Sequence, residues 1–333
     1  MAVRRAVAPG RVNLIGDHTD YLGGLVLPMA IHLGTTVEGQ PGGDTVTLTS
    51  TDQAQPAVVA LDVEDPATVE PGWARYIAGV VGEVRPATGF TGTVTTTLPI
   101  GGGLSSSAAL EVAVALALGF EGTPLELAET CQRAEQRASG VPSGIMDQLA
   151  SAAGVEGHAL LIDCRSLEVR PVSVPDDVEI VVVDSGEART LVGSAYAERR
   201  AQAEMAEAVI GPLRDATTLD LKKLQDPVTA ARARHVMTEN ARVWAFAEAL
   251  AEGWPAEAGA LMAASHASLR DDYEVSTPGL DALVERLSAT PGVHGARLTG
   301  AGFGGCVVAL TEPGALDEGW KVRPAAGARV LTS

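Results

Sequence analysis

Lysine is nearly missing from this chain of 333 residues: Lys222, Lys223 and Lys321 stand against 21 arginines. No lysine therefore closes a glycine-rich loop as an ATPase P-loop requires, and none lies in the first half, where a protein-kinase strand lysine would sit. Cysteine is equally scarce. Cys131, Cys164 and Cys306 lie far apart without a CxxC spacing, which argues against a disulfide framework or a zinc site and for a reducing compartment. Positive charge is in deficit too, with a net charge of −18, so a nucleic-acid phosphate backbone is an unsuitable partner and small molecules are expected instead. Long apolar runs are also lacking. The most apolar helical stretch, Ala108 to Leu118, falls short of the roughly 20 residues that span a membrane, and no signal-peptide core follows Arg4 and Arg5. A cytoplasmic protein that engages neither membrane nor nucleic acid is the expectation.

What is present is a 46% hydrophobic, globular composition at a length that suits two domains. Its most informative segment is Pro99 to Ala109, PIGGGLSSSAA, which runs directly into Leu110 to Leu118. A glycine-rich loop thus opens a buried helix, whose unpaired N–H groups and partial positive charge suit a phosphate. The backbone of Gly101, Gly102, Gly103 and Leu104 would approach that anion, and Ser105, Ser106 and Ser107 add hydroxyls able to donate or to ligate a hard cation. A serine N-cap on a core helix accounts for the same residues.

Upstream, Gly16 to Gly24 packs Asp17, His18, Asp20 and Tyr21 into a short loop between strand patterns at 3–15 and 25–38. Three readings fit these residues: contact with a sugar or polyol, an Asx-type turn, or a metal. Downstream, Thr123, Pro124 and Glu126 form a helix start with a capping box, and the stripe Leu127, Cys131, Glu135, Ala138 puts Glu135 among apolar residues. A buried carboxylate needs a partner. A cation near the phosphate loop would serve, as would Arg133, Arg137 or an opening to solvent. Asp147 falls in the first turn of the next helix, where the dipole favours its charge; a proton acceptor and an ordinary first-turn aspartate both fit. Pro41 to Pro71 is the most loop-like stretch, rich in Gly, Asp, Thr and Pro between short strand patterns. Gly300, Gly302 and Gly305 satisfy GxGxxG, but a strand pattern follows where a dinucleotide site needs a helix, so a glycine loop closing over a ligand held elsewhere fits better.

Taken together, three segments resemble the GHMP kinases. Gly10 to Tyr21, GRVNLIGDHTDY, looks like the signature of the family's galactokinase branch, Pro99 to Ala109 like its ATP loop, and Leu298 to Cys306 like its third motif. Gly144 to Gln148, His158 to Glu168, Thr238 to Val243 and Ser265 to Tyr273 extend the likeness along nearly the whole chain. The resemblance implies an α/β plus α+β architecture. An N-terminal mixed-sheet domain (ribosomal protein S5 domain 2-like) would cover 1–176 and a ferredoxin-like C-terminal domain 177–333, with the active site in the cleft. It implies phosphorylation of the anomeric C1 hydroxyl of galactose by ATP, with Mg²⁺, in a monomer or weak homo-oligomer.

Matched residue by residue, the likeness assigns the sugar to Arg11, Asp17, His18, Asp20, Gly144, Asp147 and Tyr196. Asp147 would be the base and Arg11 the charge stabiliser. Ser106 and Glu135 would hold Mg²⁺, the loop Gly101 to Ser107 the phosphates, and Trp73 and Tyr76 would border the adenine. The chain departs from the family pattern at Asp17, where Glu is usual, at Leu22, where Asn or Gln is usual, and in the loop Asp184 to Arg189. These changes bear on sugar specificity, so an anomeric kinase for N-acetylgalactosamine or arabinose is the second reading. A catalytically silent sugar and ATP sensor is the third; the complete Ser105 to Ala109 segment and the presence of Asp147 count against it.

Overall fold

The computed structural model describes residues 2–99, 102–187 and 192–331, so Gly101, Ala188 and Arg189 lie outside the described residues. The first half builds a six-stranded sheet in the order Arg329–Leu331, Arg4–Asn13, Pro28–Pro41, Phe90–Thr96, Thr45–Ser50, Ala57–Ala60. It is mixed: Thr45–Ser50 runs parallel to Phe90–Thr96, and the other neighbours are antiparallel. The stretch expected to be most loop-like therefore holds two paired strands. Val46, Leu48, Ala57 and Val59 alternate into the core, and that burial outweighs the local turn chemistry.

Helices Ala74–Val84, Ser106–Ala117, Pro124–Ser139 and Met146–Ala153 pack with this sheet around one core. Helix Pro124–Ser139 starts as its sequence dictates. The Thr123 hydroxyl accepts from Glu126 N at 3.2 Å and the Glu126 carboxylate accepts from Thr123 N at 2.7 Å, a reciprocal cap of about 1 kcal/mol.

The second half contributes an antiparallel sheet in the order Val293–Thr299, Cys306–Thr311, Glu179–Asp184, Trp320–Val322. Helices Val192–Ile210, Pro227–Ala251, Pro255–Asp271 and Pro278–Ser288 accompany it. The chain then returns, and its last strand pairs Leu331 with Arg5. Leu14, Ile15, Leu27 and Met29 from one half and Val182, Phe246 and Val308 from the other share one apolar cluster, which fuses the halves below the site. Among the described residues, no helix is long and apolar enough to cross a membrane.

Candidate active site

Strand Arg4–Asn13 ends just before the loop Gly16–Gly24, which carries Asp17, His18 and Asp20 across to the third glycine loop. Arg11, Asp17, His18, Asp20, Gly144, Asp147 and Tyr196 all line one cavity of about 220 Å³, together with Glu135, Ser143, Gly300 and Ala301. Residues from opposite ends of the chain are thus gathered between the two halves. Ser143 is an addition that the sequence motifs do not single out, whereas Gly300 and Ala301 belong to the third motif, whose glycine loop is expected to close over a ligand.

At the centre of the cavity stands Asp147, in the first turn of Met146–Ala153. Arg11 grips it with both arms of the guanidinium, Nε donating to Oδ1 and Nη2 to Oδ2, each at 2.7 Å. The third nitrogen, Nη1, donates to the carbonyl of Gly103 at 2.8 Å and so ties the pair to the glycine loop. Such a bidentate fork fixes direction as well as charge. The Ser105 hydroxyl donates to Asp147 Oδ2. Ser105 occupies the N-cap position of Ser106–Ala117 but makes no capping hydrogen bond, and it sits at φ +57°, a left-handed conformation costly for a residue with a Cβ. The capping explanation is therefore replaced: the strain serves the Asp147 contact.

Asp17 faces inward. Its carboxylate is buried, accepts from Arg297 Nη2, and accepts from Gly300 N at 2.9 Å. Arg297, itself fully buried, is not marked out by the sequence; only its place beside the third motif hints at a role.

His18, at φ +65°, has both ring nitrogens engaged. Nε2 lies 3.1 Å from the carbonyl of Ala301, which only accepts, so Nε2 carries the hydrogen and Nδ1 accepts from the Tyr21 hydroxyl at 2.9 Å. Burial, with the nearby His235 adding to it, lowers its pKa to about 3, and the ring is neutral. Asp20 is different. Burial and the charge of Asp147 raise its pKa to about 6, and it lines the cavity rather than turning into the protein. Gly144 packs so closely on it that a Cβ there would strike the Asp20 carboxylate.

A second cavity of about 280 Å³ adjoins the glycine loop, lined by Trp73, Tyr76, Ser106, Ser107 and Leu110, with Ser50, Asp52 and Gln53 from the strand region beyond Pro41. Glu135 belongs to the first cavity, but its Oε1 accepts from Ser107 at 3.0 Å, linking the two spaces. Its Oε2 accepts from Ser143 at 3.0 Å and from Gln148 Nε2 at 2.8 Å. Arg133 and Arg137 turn instead to Glu83. Burial and the Asp147 charge hold the Glu135 pKa above its ordinary value. Ser107 meets Glu135, whereas Ser106 lies exposed in the second cavity. Among the described residues, no three of His, Cys, Asp and Glu cluster as a metal site.

Two lobes meeting at a cleft, with a glycine-rich helix start against an aspartate–arginine pair, are the architecture of a GHMP small-molecule kinase. The GHMP kinase N-terminal domain matches residues 75–155 and the C-terminal domain residues 246–323. The galactokinase galactose-binding signature matches residues 3–41. Human galactokinase is 45% identical over 327 residues, covering 92% of this chain and 83% of that protein. Galactokinase of Chloroflexus aggregans is 43% identical over 341 residues, covering 95% and 85%. The chain belongs to the galactokinase family. Among solved structures, Lactococcus lactis galactokinase complexed with galactose superposes with a TM-score of 0.91 at 32% identity, over 99% of this chain and 95% of that one. Methanococcus jannaschii mevalonate kinase, at 21% identity and a TM-score of 0.71, shares the fold.

Proposed function

We propose that this protein transfers the γ-phosphoryl group of ATP to the anomeric C1 hydroxyl of galactose, giving galactose 1-phosphate and ADP, in the cytoplasm. The observation that carries the reading is the Asp147 carboxylate, held by Arg11 and Ser105 in a cavity that abuts the glycine loop. Phosphoryl transfer asks for positioning and charge stabilisation more than for covalent chemistry. Asp147 accepts the C1 proton. Arg11, whose Nη1 already lies against the loop at Gly103, offsets charge on the attacking oxygen and on the transferring group.

Asp17, His18, Asp20, Gly144 and Tyr196 enclose the sugar. Asp20 is the acceptor best placed for hydroxyls, because among the described residues its carboxylate has no protein cation in ion-pair contact. Trp73 and Tyr76 border the base of the nucleotide, and the loop Gly101 to Ser107 takes its phosphates. Mg²⁺ fits the donor set between the cavities. The Glu135 carboxylate accepts from the Ser107 hydroxyl, and Ser106 and Ser107 both open into the second cavity, so the donors on offer are hard oxygens. Glu135 and these hydroxyls would hold the ion through a single protein carboxylate, and its chemistry there would be to neutralise phosphate charge. The lobes divide near residue 176, the last strand returning to the first sheet.

The test is ADP release with Mg-ATP across galactose, N-acetylgalactosamine, arabinose and glucose, with Asp147→Asn and Arg11→Ala alongside. Galactose is expected to lead, and each variant to lose on the order of 10² to 10⁴ in kcat while still binding nucleotide. A different leading sugar would transfer the reading to that sugar. Binding of galactose and ATP without turnover by the unaltered protein would replace it with a sensor, and an Asp147→Asn protein of normal turnover would remove Asp147 from the base role.

A further inference from the structure

A cavity larger than either of those at the cleft lies elsewhere on the described residues. A groove of about 590 Å³ lies on the six-stranded sheet, lined among others by Val7, Pro9, Thr36 and Thr95 and roofed on one side by Arg323–Arg329. Val7 pairs with Thr36 and Thr36 with Thr95, so these side chains share one face. Ala6 and Ala8, flanking Val7, point into the helical core. The floor is therefore the sheet face turned away from the helices that carry Ser105 and Asp147.

Two features distinguish this groove from an ordinary solvated surface. The first is charge. In a chain of net charge −18, most arginines are ion-paired, yet Arg323 and Arg329 both line the groove, and among the described residues neither has a carboxylate within 4.0 Å. Arg329 spends one nitrogen on a long 3.4 Å bond to Gly327 O. Glu156, the one carboxylate of the lining, pairs with neither. His32 adds a donor: its Nδ1 accepts from Arg323 N at 3.3 Å, which leaves the hydrogen on Nε2.

The second is rigidity. The segment bearing both arginines is pinned by its backbone on two sides. His32 N donates to Arg323 O at 3.1 Å and Ala325 N to Ala30 O at 2.9 Å, while Gly327 N donates to Gly154 O at 2.7 Å and Ala328 N to Ser151 O at 2.9 Å. The backbone that bears the two guanidinium groups is thus fixed, so binding has to order the side chains and not the strap.

We propose that this groove is a binding site for a small phosphate-bearing molecule, separate from the cavities of the cleft. With two planar forks and the hydroxyls of Thr36 and Thr95 lining one groove, donors outnumber acceptors, and a phosphate, with three or more acceptor oxygens on one centre, answers more of them than a carboxylate does. The volume leaves room for an organic body attached to it. The strap and floor also touch the catalytic elements from behind. Ser151 belongs to the helix that begins with Asp147 in its first turn, and its hydroxyl donates at 2.7 Å to the carbonyl of Pro9, two residues before Arg11.

Calorimetric titration of the intact protein with inorganic phosphate and, separately, with glucose 6-phosphate tests the assignment, using R323A/R329A as the partner variant. The unaltered protein is expected to bind at least one probe and the double variant to bind it roughly tenfold or more weakly, with galactose turnover kept within about twofold. Any binding of the same probes in the cleft is common to both proteins and cancels in the comparison. Preference for glucose 6-phosphate would assign the groove to organic phosphates, and equal binding of inorganic phosphate would assign it to the free anion. Should the double variant not fold, the single variants R323A and R329A carry the test, each weakening binding by about threefold or more. Absence of binding by either probe, or equal affinity in the arginine variants, would overturn the proposal.

Discussion

Asp20 offers the sharpest quantitative consequence of this structure, because the acceptor role proposed for it comes at the expense of stability. Its carboxyl titrates at about 6 in the folded protein against 3.8 in a solvated chain, chiefly from burial and secondly from the charge of Asp147. A folded-state pKa above the unfolded one means that the folded form holds the proton more tightly, so the ionised group subtracts stability as pH rises through that window. The subtraction is absent below about pH 4 and complete above about pH 6.5. A shift of that size corresponds to at most about 3 kcal/mol. Because Asp20 is half-buried and opens into the cavity, a discount for solvent leaves roughly 1–2 kcal/mol. Asp20→Asn is therefore expected to be more stable than the unaltered protein at pH 8, by that amount, and no more stable at pH 4. Urea denaturation at a series of pH values measures the difference directly. A gap that does not change between pH 4 and pH 8 would refute the reasoning. The same variant should lose sugar binding if the carboxylate is the hydroxyl acceptor proposed for it. For the unaltered protein, galactose affinity should fall as pH drops below about 6.

Three further outcomes follow from the geometry of the cleft. Gly144→Ala pushes a methyl group into the Asp20 carboxylate and should raise the sugar KM by roughly tenfold or more while leaving the ATP KM within about twofold, as initial-rate kinetics would show; equal effects on both substrates would count against it. Ser105→Ala and Ser105→Gly both remove the hydroxyl from Asp147 and should each lower kcat about 10- to 100-fold, yet only glycine suits φ +57°, so the glycine variant should be the more stable in thermal unfolding by about 1 kcal/mol. Asp17→Asn leaves the Arg297 guanidinium buried without its counter-charge and should cost about 3–5 kcal/mol in chemical denaturation; a loss below about 1 kcal/mol would mean that the pair is not the joint it resembles.

The parts of this site that are contiguous in the chain are legible in the amino-acid sequence itself. Asp17, His18 and Asp20 sit on one loop and the serines follow the glycines, so local spacing brings them forward, whereas Asp147 and Gly144, which flank a helix start, stand out only through the resemblance to the family. Thr123 and Glu126 announce their cap by local spacing too. What spacing does not encode is which distant group meets which. Periodicity marks Glu135 as a buried carboxylate in need of a partner. That its acceptors are filled by Ser107, Ser143 and Gln148, while Arg133 and Arg137 turn to Glu83, depends on how two helices pack. Helix packing also explains Glu111, buried with Oε1 unpartnered and Oε2 accepting from Gln148 at 3.1 Å. Its periodic position marks it only as one polar residue in an apolar helix. The strands at Thr45–Ser50 and Ala57–Ala60 are obscured by the turn-forming residues around them, and they form because the sheet supplies partners.

Asp17 shows how a departure from a family pattern changes meaning once its contacts are known. As a sequence feature, a carboxylate one methylene shorter than usual suggests a pocket with more room at the far end of the sugar. In the structure, that carboxylate joins the first signature loop to the third glycine loop, through Arg297 and Gly300 N. Two of its roughly four acceptor positions are thus committed to architecture, one on each oxygen, while the residue also lines the cavity. Lengthening the side chain to Glu would have to move the Arg297 contact or push the head group further into a space of about 220 Å³. The shorter residue is matched to this particular closure of the loops. A reversion at position 17 alone therefore changes the fit of two loops along with the reach of one carboxylate, and a test of its effect on sugar preference has to treat Asp17 and Arg297 together.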